Sequence, residues 1–141
     1  MGITCKNSLY SIRAVLPITL ILAGAGVALW ALGFSRMDPN ESWWFFIFYI
    51  FISSPVQEFL YRGALPVFLQ KLNVSIKCQL VLTSILYSFV HIIYKDFITL
   101  LLTFFIGLIW FSDYKKSNNL LGVSISHAVL GVVTIVAGII D

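Results

Sequence analysis

One carboxylate and two imidazoles stand in stretches of chain that are otherwise strongly apolar: Glu58, His91 and His127, with Gln57 directly before the first and Arg62 four residues after it. A carboxylate together with histidine is the usual equipment for general acid–base work on water or on a substrate carbonyl. Glu58 and Arg62 are four apart, so they lie one above the other on a single helical face, where the guanidinium can neutralise or orient the carboxylate. Ser54 falls on the same stripe, and Gln57 lies about 100° round from Glu58 at helical spacing. Pro55 frees a backbone carbonyl one turn earlier and predicts a bend that makes room for polar groups. A Glu–Arg pair alone is most often a structural clamp, and a single membrane histidine often only bonds a neighbouring helix. The whole set points to chemistry instead, because a charge at the bilayer centre costs at least ~2.5–3.5 kcal/mol and marks function by default.

The elements that carry these residues follow from composition. Of the 141 residues, 60% are hydrophobic and 11% charged, with a mean hydropathy of +0.96. Soluble domains run at roughly 45–50% apolar and about 25% charged, and so few charges could not cover this much apolar surface in water. A spanning helix takes about 20 apolar residues. Five apolar segments emerge: Ala14–Phe34, Trp43 to Leu69, Ile76–Tyr94, Phe97–Phe111 and Leu120–Ile140. The expected fold is all-α, a polytopic transmembrane helical bundle of about five spans, with residues 1–42 as an N-terminal span and loop and residues 43–140 as the core. Only Lys95 and Asp96 separate the third and fourth segments, which predicts a tight hairpin. Ala14–Phe34 is too long for a signal-peptide core and lacks a small-x-small cleavage site, so it reads as a retained span. Gly24 and Gly26 in the first span, and Gly131 and Gly138 in the last, are candidates for close helix approach.

Charge placement orients the bundle. Alternating the loops puts Lys6, Arg13, Lys71, Lys77, Lys115 and Lys116 on one side and Arg36 and Lys95 on the other, which predicts a multi-pass protein of the cell membrane with its amino terminus in the cytoplasm and its carboxyl terminus outside. The net charge of +3 is scattered between apolar runs and forms no phosphate-binding stripe, so nucleic acid is not an expected partner. The lipid bilayer and a peptide or protein substrate are. Cys5 and Cys78 read as unpaired thiols.

A helical rise of 1.5 Å per residue brings Glu58, His91 and His127 within roughly 10 Å of one another in depth. One shared intramembrane site is the expectation. No His-Glu-x-x-His helix is present, and neither a metal nor another cofactor is expected, although two histidines and a glutamate would satisfy zinc in number. A different class, a small proton-coupled transporter, would also use such groups as relays. Transporters tend to have repeated halves with paired broken helices, and no repeat is visible here, though a homodimer could supply the missing half.

At this point the sequence resembles a known family, the CPBP or Abi family of CAAX-processing and bacteriocin-processing intramembrane endopeptidases. Its pattern is Glu-Glu-x-x-x-Arg, then Phe-x-x-x-His, then His-x-x-x-Asn. The chain offers Gln57-Glu58-Phe59-Leu60-Tyr61-Arg62, then Tyr87-Ser88-Phe89-Val90-His91, then His127-Ala128-Val129-Leu130-Gly131. The flanks are similar as well: Arg62-Gly63 with Leu69-Gln70, and Phe104-Phe105-Ile106-Gly107-Leu108 before Asn119-Leu120-Leu121. The likeness runs from Trp43 to Ile140. It implies a metal-free glutamic mechanism in which a Glu and the middle His activate water, and the last His and Asn stabilise the oxyanion. Two positions depart from the pattern. Gln57 stands where the first Glu would be and cannot act as a carboxylate base. Gly131 stands where the Asn would be, removing a donor worth on the order of 10²–10³ in rate.

Two accounts follow from the resemblance. In the first, Glu58 takes over the base role with His91, Gln57 holds the water or substrate, Arg62 steadies Glu58, and His127 polarises the carbonyl of a membrane-associated, prenylated or leader-peptide substrate. In the second, the chain is an impaired pseudoprotease or an immunity-type membrane binder that holds a segment without cutting it.

Overall fold

The computed structural model describes residues 2–33 and 41–138; the break at 34–40, with Arg36 of the charge argument, and residues 139–141 at the end of the fifth segment lie outside the described residues. Five helices account for nearly all of it: α1 (Ser8–Ala31), α2 (Trp43–Lys71), α3 (Ile76–Tyr94), α4 (Phe97–Ser117) and α5 (Leu121–Val136), and no strand occurs among the described residues. The expected all-α polytopic bundle is what the chain forms. The first four helices are long and apolar enough to cross a membrane. The fifth has 16 residues, which at about 1.5 Å per residue falls short of a ~30 Å hydrocarbon core.

Burial runs opposite to that of a water-soluble domain. Trp43, Phe51 and Phe97 are exposed, whereas Ser54, Glu58, Arg62, Thr83, Ser84, Ser126 and His127 are buried. In a bilayer apolar side chains gain nothing by leaving lipid, so small and polar residues take the helix contacts. Between α3 and α4, Ser88 donates to the Leu100 carbonyl at 2.6 Å, and a Cβ at Gly107 would come within 3.2 Å of the Ser84 side chain. The expected close approaches fall elsewhere in part. A Cβ at Gly24 would meet open space; Gly122 of α5 is the residue pressed against the Ser11 backbone of α1.

The hairpin between α3 and α4 is as tight as its two-residue break predicts. Lys95 takes a left-handed φ of 51°, and Asp96 caps α4 by accepting bonds from the backbone N–H groups of Ile98 and Thr99 at 3.2 and 2.7 Å. A further bond from the Thr99 hydroxyl, with these backbone ones, holds the Asp96 carboxyl below the usual carboxylate range.

Helix α5 starts without a side chain from its own cap residue, and other parts of the chain satisfy its first N–H groups. Leu120 N–H donates to the Gly2 carbonyl at 3.0 Å, Leu121 N–H to Asn119 Oδ1 at 2.8 Å, and Gly122 N–H to Ser11 Oγ at 3.0 Å. Asn119 also directs its amide nitrogen at the carbonyls of Thr4 and Lys6, each at 2.7 Å. One buried amide therefore ties the N-terminal segment to the α4–α5 turn. Asn119→Ala is expected to cost about 1–2 kcal/mol, since it removes part-buried hydrogen bonds to the Thr4, Lys6 and Leu121 backbone. Thermal unfolding in detergent, with hydrogen exchange at residues 2–8, checks this; unchanged melting and unchanged protection would remove the clamp from the account.

Candidate active site

Helix α2 is not a regular α-helix where it carries the candidate residues. Its turns at Tyr49–Ser53 and Phe59–Ala64 are π-turns, on either side of a short α segment, Ser54–Glu58, that begins next to Pro55. Where a bend was expected from Pro55 the helix carries two wide turns, a distortion frequent at functional positions. Ser54 fastens this stretch to α5 by donating to the Ser124 carbonyl at 3.1 Å. Glu58, one turn on, is then delivered to the His127 side of α5.

Glu58 is fully buried and accepts from two partners through one oxygen. Arg62 Nη1 donates to Oε1 at 3.2 Å, and His127 Nδ1 lies 2.7 Å from the same oxygen. Arg62 Nε is also 3.1 Å from Oε2, but the N–H is misaligned, and among the described residues Oε2 and Arg62 Nη2 have no hydrogen-bond partner. The fork is therefore one aligned bond plus an ion-pair contact. It leaves spare hydrogen-bonding capacity on both charged groups.

Aromatic rings wall this ion cluster. The Arg62 guanidinium lies 4.1 Å from the Tyr87 ring centroid and 5.4 Å from that of Trp110, positions where a desolvated cation gains from the ring face. The His127 ring stacks on Trp110 at 5.4 Å and meets the Tyr87 ring edge-on at 5.6 Å. Trp110 is itself pinned: its indole N–H donates to Ser126 Oγ at 3.0 Å, and Ser126 Oγ shares a 2.6 Å bond with Thr19 Oγ1 of α1. A carboxylate only accepts, so the Nδ1 facing Glu58 carries a proton, and Nε2 is the atom of His127 left for a substrate.

His91 sits apart from that cluster, in the final 3₁₀ turn of α3, His91–Tyr94. It makes no hydrogen bond to Glu58. Its Nδ1 is 2.9 Å from the Tyr87 carbonyl, and because a carbonyl only accepts, Nδ1 carries the proton and Nε2 the lone pair. The Tyr87 ring stands between the two imidazoles, 5.0 Å from His91 and 5.6 Å from His127. His91 is half-buried, Glu58 and His127 wholly so. Gln57 is half-buried and donates to Ser53 Oγ at 3.1 Å, one position round the helix from Glu58.

The structure thus brings Glu58, Arg62 and His127 into direct contact, with His91 one aromatic ring away and Gln57 at the flank. Among the described residues, no group of three His, Cys, Asp or Glu side chains is spaced to hold a metal ion. An apolar groove of about 490 Å³ runs beside the cluster between α2 and α5, lined by Phe51, Pro55, Ile125, Ala128 and Val129 among others. Glu58, His91 and His127 do not line it. Sequence reasoning passed over Trp110 and Ser126, whose types carry no signal in an apolar run, and Tyr49, which meets the His127 ring edge-on at 6.0 Å.

The same stretch, α2 to α5, is where the chain matches a known family. It belongs to the family described as type II CAAX prenyl endopeptidase Rce1-like, whose model matches residues 39–133. Those residues hold Glu58, Arg62, His91 and His127 and exclude α1. No curated protein and no solved structure was found to match the chain. The motif resemblance therefore holds at the level of the family, and the chain is a multi-pass membrane protein of a CAAX endopeptidase family.

Proposed function

We propose that this chain is an intramembrane endopeptidase that hydrolyses a peptide bond of a prenylated or otherwise membrane-associated substrate with a histidine-activated water. The observation that carries the reading is the buried Glu58–His127 bond at 2.7 Å inside the stretch the family covers. A buried carboxylate that accepts from Nδ1 fixes the orientation of the imidazole and balances the charge of the protonated ring that this scheme uses. His127 Nε2–H is then the donor to the scissile carbonyl oxygen. His91, reachable and with its Nε2 lone pair free, takes the water proton. Hydroxide adds to the carbonyl carbon, the C–N bond breaks, and His91 returns the proton to the leaving amine. The base role assigned to Glu58 at the level of sequence passes to His91 in this scheme, because the carboxylate is fully buried and bonded to the other histidine. The apolar groove beside Pro55 and Ala128 suits the apolar part of such a substrate.

Gln57 and Gly131 favour a second reading, a family member that binds a segment without cutting it. One experiment separates the two. The purified protein in detergent is given a farnesylated peptide ending in a CAAX sequence, beside His91→Ala and Gln57→Glu. Cleavage by the parent that falls about 10²–10⁴-fold in His91→Ala supports the enzyme. A parent that binds the peptide but leaves it intact supports the binder, and a gain of cleavage in Gln57→Glu would then show what was lost.

A further inference from the structure

The residue one turn after His127 is Gly131, and the space its missing side chain leaves is not empty. A Cβ built there would lie 2.6 Å from Tyr49 Cε1 and would run into Cζ and the hydroxyl oxygen. No residue larger than glycine fits at 131 while Tyr49 keeps its place. The phenol of α2 has come across the helix interface into the room that a side chain of α5 would take, beside the His127 ring at 6.0 Å. It is held there by stacking on Phe45, at 6.0 Å and 16°, and its own residue opens the π-turn Tyr49–Ser53. Among the described residues, its hydroxyl enters no hydrogen bond with the protein.

We infer that the Tyr49 hydroxyl is the second donor to the oxyanion, acting with His127 in place of a side chain at position 131. The inference rests on the cleavage chemistry proposed above. Residues 127 and 131 are four apart, so whatever fills the space at 131 lies on the same face of α5 as the imidazole. A phenol keeps its proton at physiological pH and donates a single directed O–H bond. The geometry requires the glycine: a side chain at 131 and the phenol at 49 exclude each other. This explains how the chain can lack a polar residue one turn after the histidine and still present two donors.

Tyr49→Phe tests this with the ring, and hence the packing, retained. The probes are a farnesylated CAAX peptide and its phosphinate isostere, which is tetrahedral at the scissile position and cannot be cut. The expected result is a fall in kcat of about 10²-fold or more with KM nearly unchanged, since a lost oxyanion donor acts only in the transition state. Affinity for the phosphinate should fall by a similar factor, and affinity for the uncut peptide should not. The swap Tyr49→Ala with Gly131→Asn should recover much of the kcat that Gly131→Asn alone loses. If the parent cleaves and Tyr49→Phe cleaves equally well, Tyr49 is not the donor and the cleavage reading survives. If the parent does not cleave but Tyr49→Phe still weakens phosphinate binding selectively, the donor assignment stands and the cleavage reading fails. An inactive parent with phosphinate binding indifferent to Tyr49→Phe overturns both.

Discussion

Under the proposed scheme, Glu58→Gln is expected to lower cleavage by about 10²–10⁴-fold, the range set by losing a group that orients an acting imidazole. The amide is nearly the size of the carboxylate, so the packing of Arg62 and His127 on Trp110 and Tyr87 should persist. What goes is the negative charge 2.7 Å from His127 Nδ1, and with it the counter-ion of the ring that the proposed scheme has donate through Nε2. The same change leaves Arg62, itself buried, without its counter-ion, so stability should fall as well. The two effects can be pulled apart. In Glu58→Gln with Arg62→Met, the orphaned charge is gone and apolar volume fills the site, a replacement that is often neutral or stabilising. Melting in detergent should recover towards the parent while cleavage stays low. Cleavage at the parental rate in Glu58→Gln would take this cluster out of the chemistry altogether.

How far the sequence reached is visible in that cluster. The spacing of Glu58 and Arg62 sufficed to place them on one face, because a helix fixes the relation of i to i+4 by itself. The Lys95–Asp96 hairpin was equally legible, two residues being too few for anything but a turn. Depth arithmetic set both His91 and His127 within reach of Glu58 but could not say which of them Glu58 would meet. That choice depends on the rotation of α3 and α5 about their own axes, which hydropathy does not encode when every face of a helix is apolar. Lipid and protein interior are alike to a leucine. For the same reason Trp110 looked like any other span residue, although it forms the floor under His127. The glycines show the same limit: Gly24 and Gly122 are chemically identical, yet only Gly122 meets a neighbouring backbone. Gly131 was readable as an absence. The residue that fills its space, Tyr49, comes from a helix more than half the chain away, and only the folded bundle shows it.

The second large effect belongs to Arg62. Arg62→Ala should destabilise the bundle by about 3–5 kcal/mol, because it removes the permanent cation from a carboxylate in a site with no exposure and leaves His127 alone to balance it. The loss of the guanidinium from the faces of Tyr87 and Trp110, at 4.1 and 5.4 Å, adds to this, since a desolvated cation over aromatic rings contributes on the order of 1–2 kcal/mol. Arg62→Lys discriminates between the sources. An ammonium keeps the charge but is a point donor; it cannot hold Oε1 while also placing a flat cation on two rings. Lysine is therefore expected to recover less than half of the lost stability, whereas a purely Coulombic clamp would be restored nearly in full. Thermal melting of the parent and both variants in the same detergent decides between these. Activity gives an independent readout: in Arg62→Lys, Glu58 keeps its bond to His127, so cleavage should survive at reduced stability, and a complete loss would mean that Arg62 itself reaches the substrate. Equal melting of parent and Arg62→Ala would show that the buried ion cluster does not hold the bundle together, and that its cost is borne for function alone.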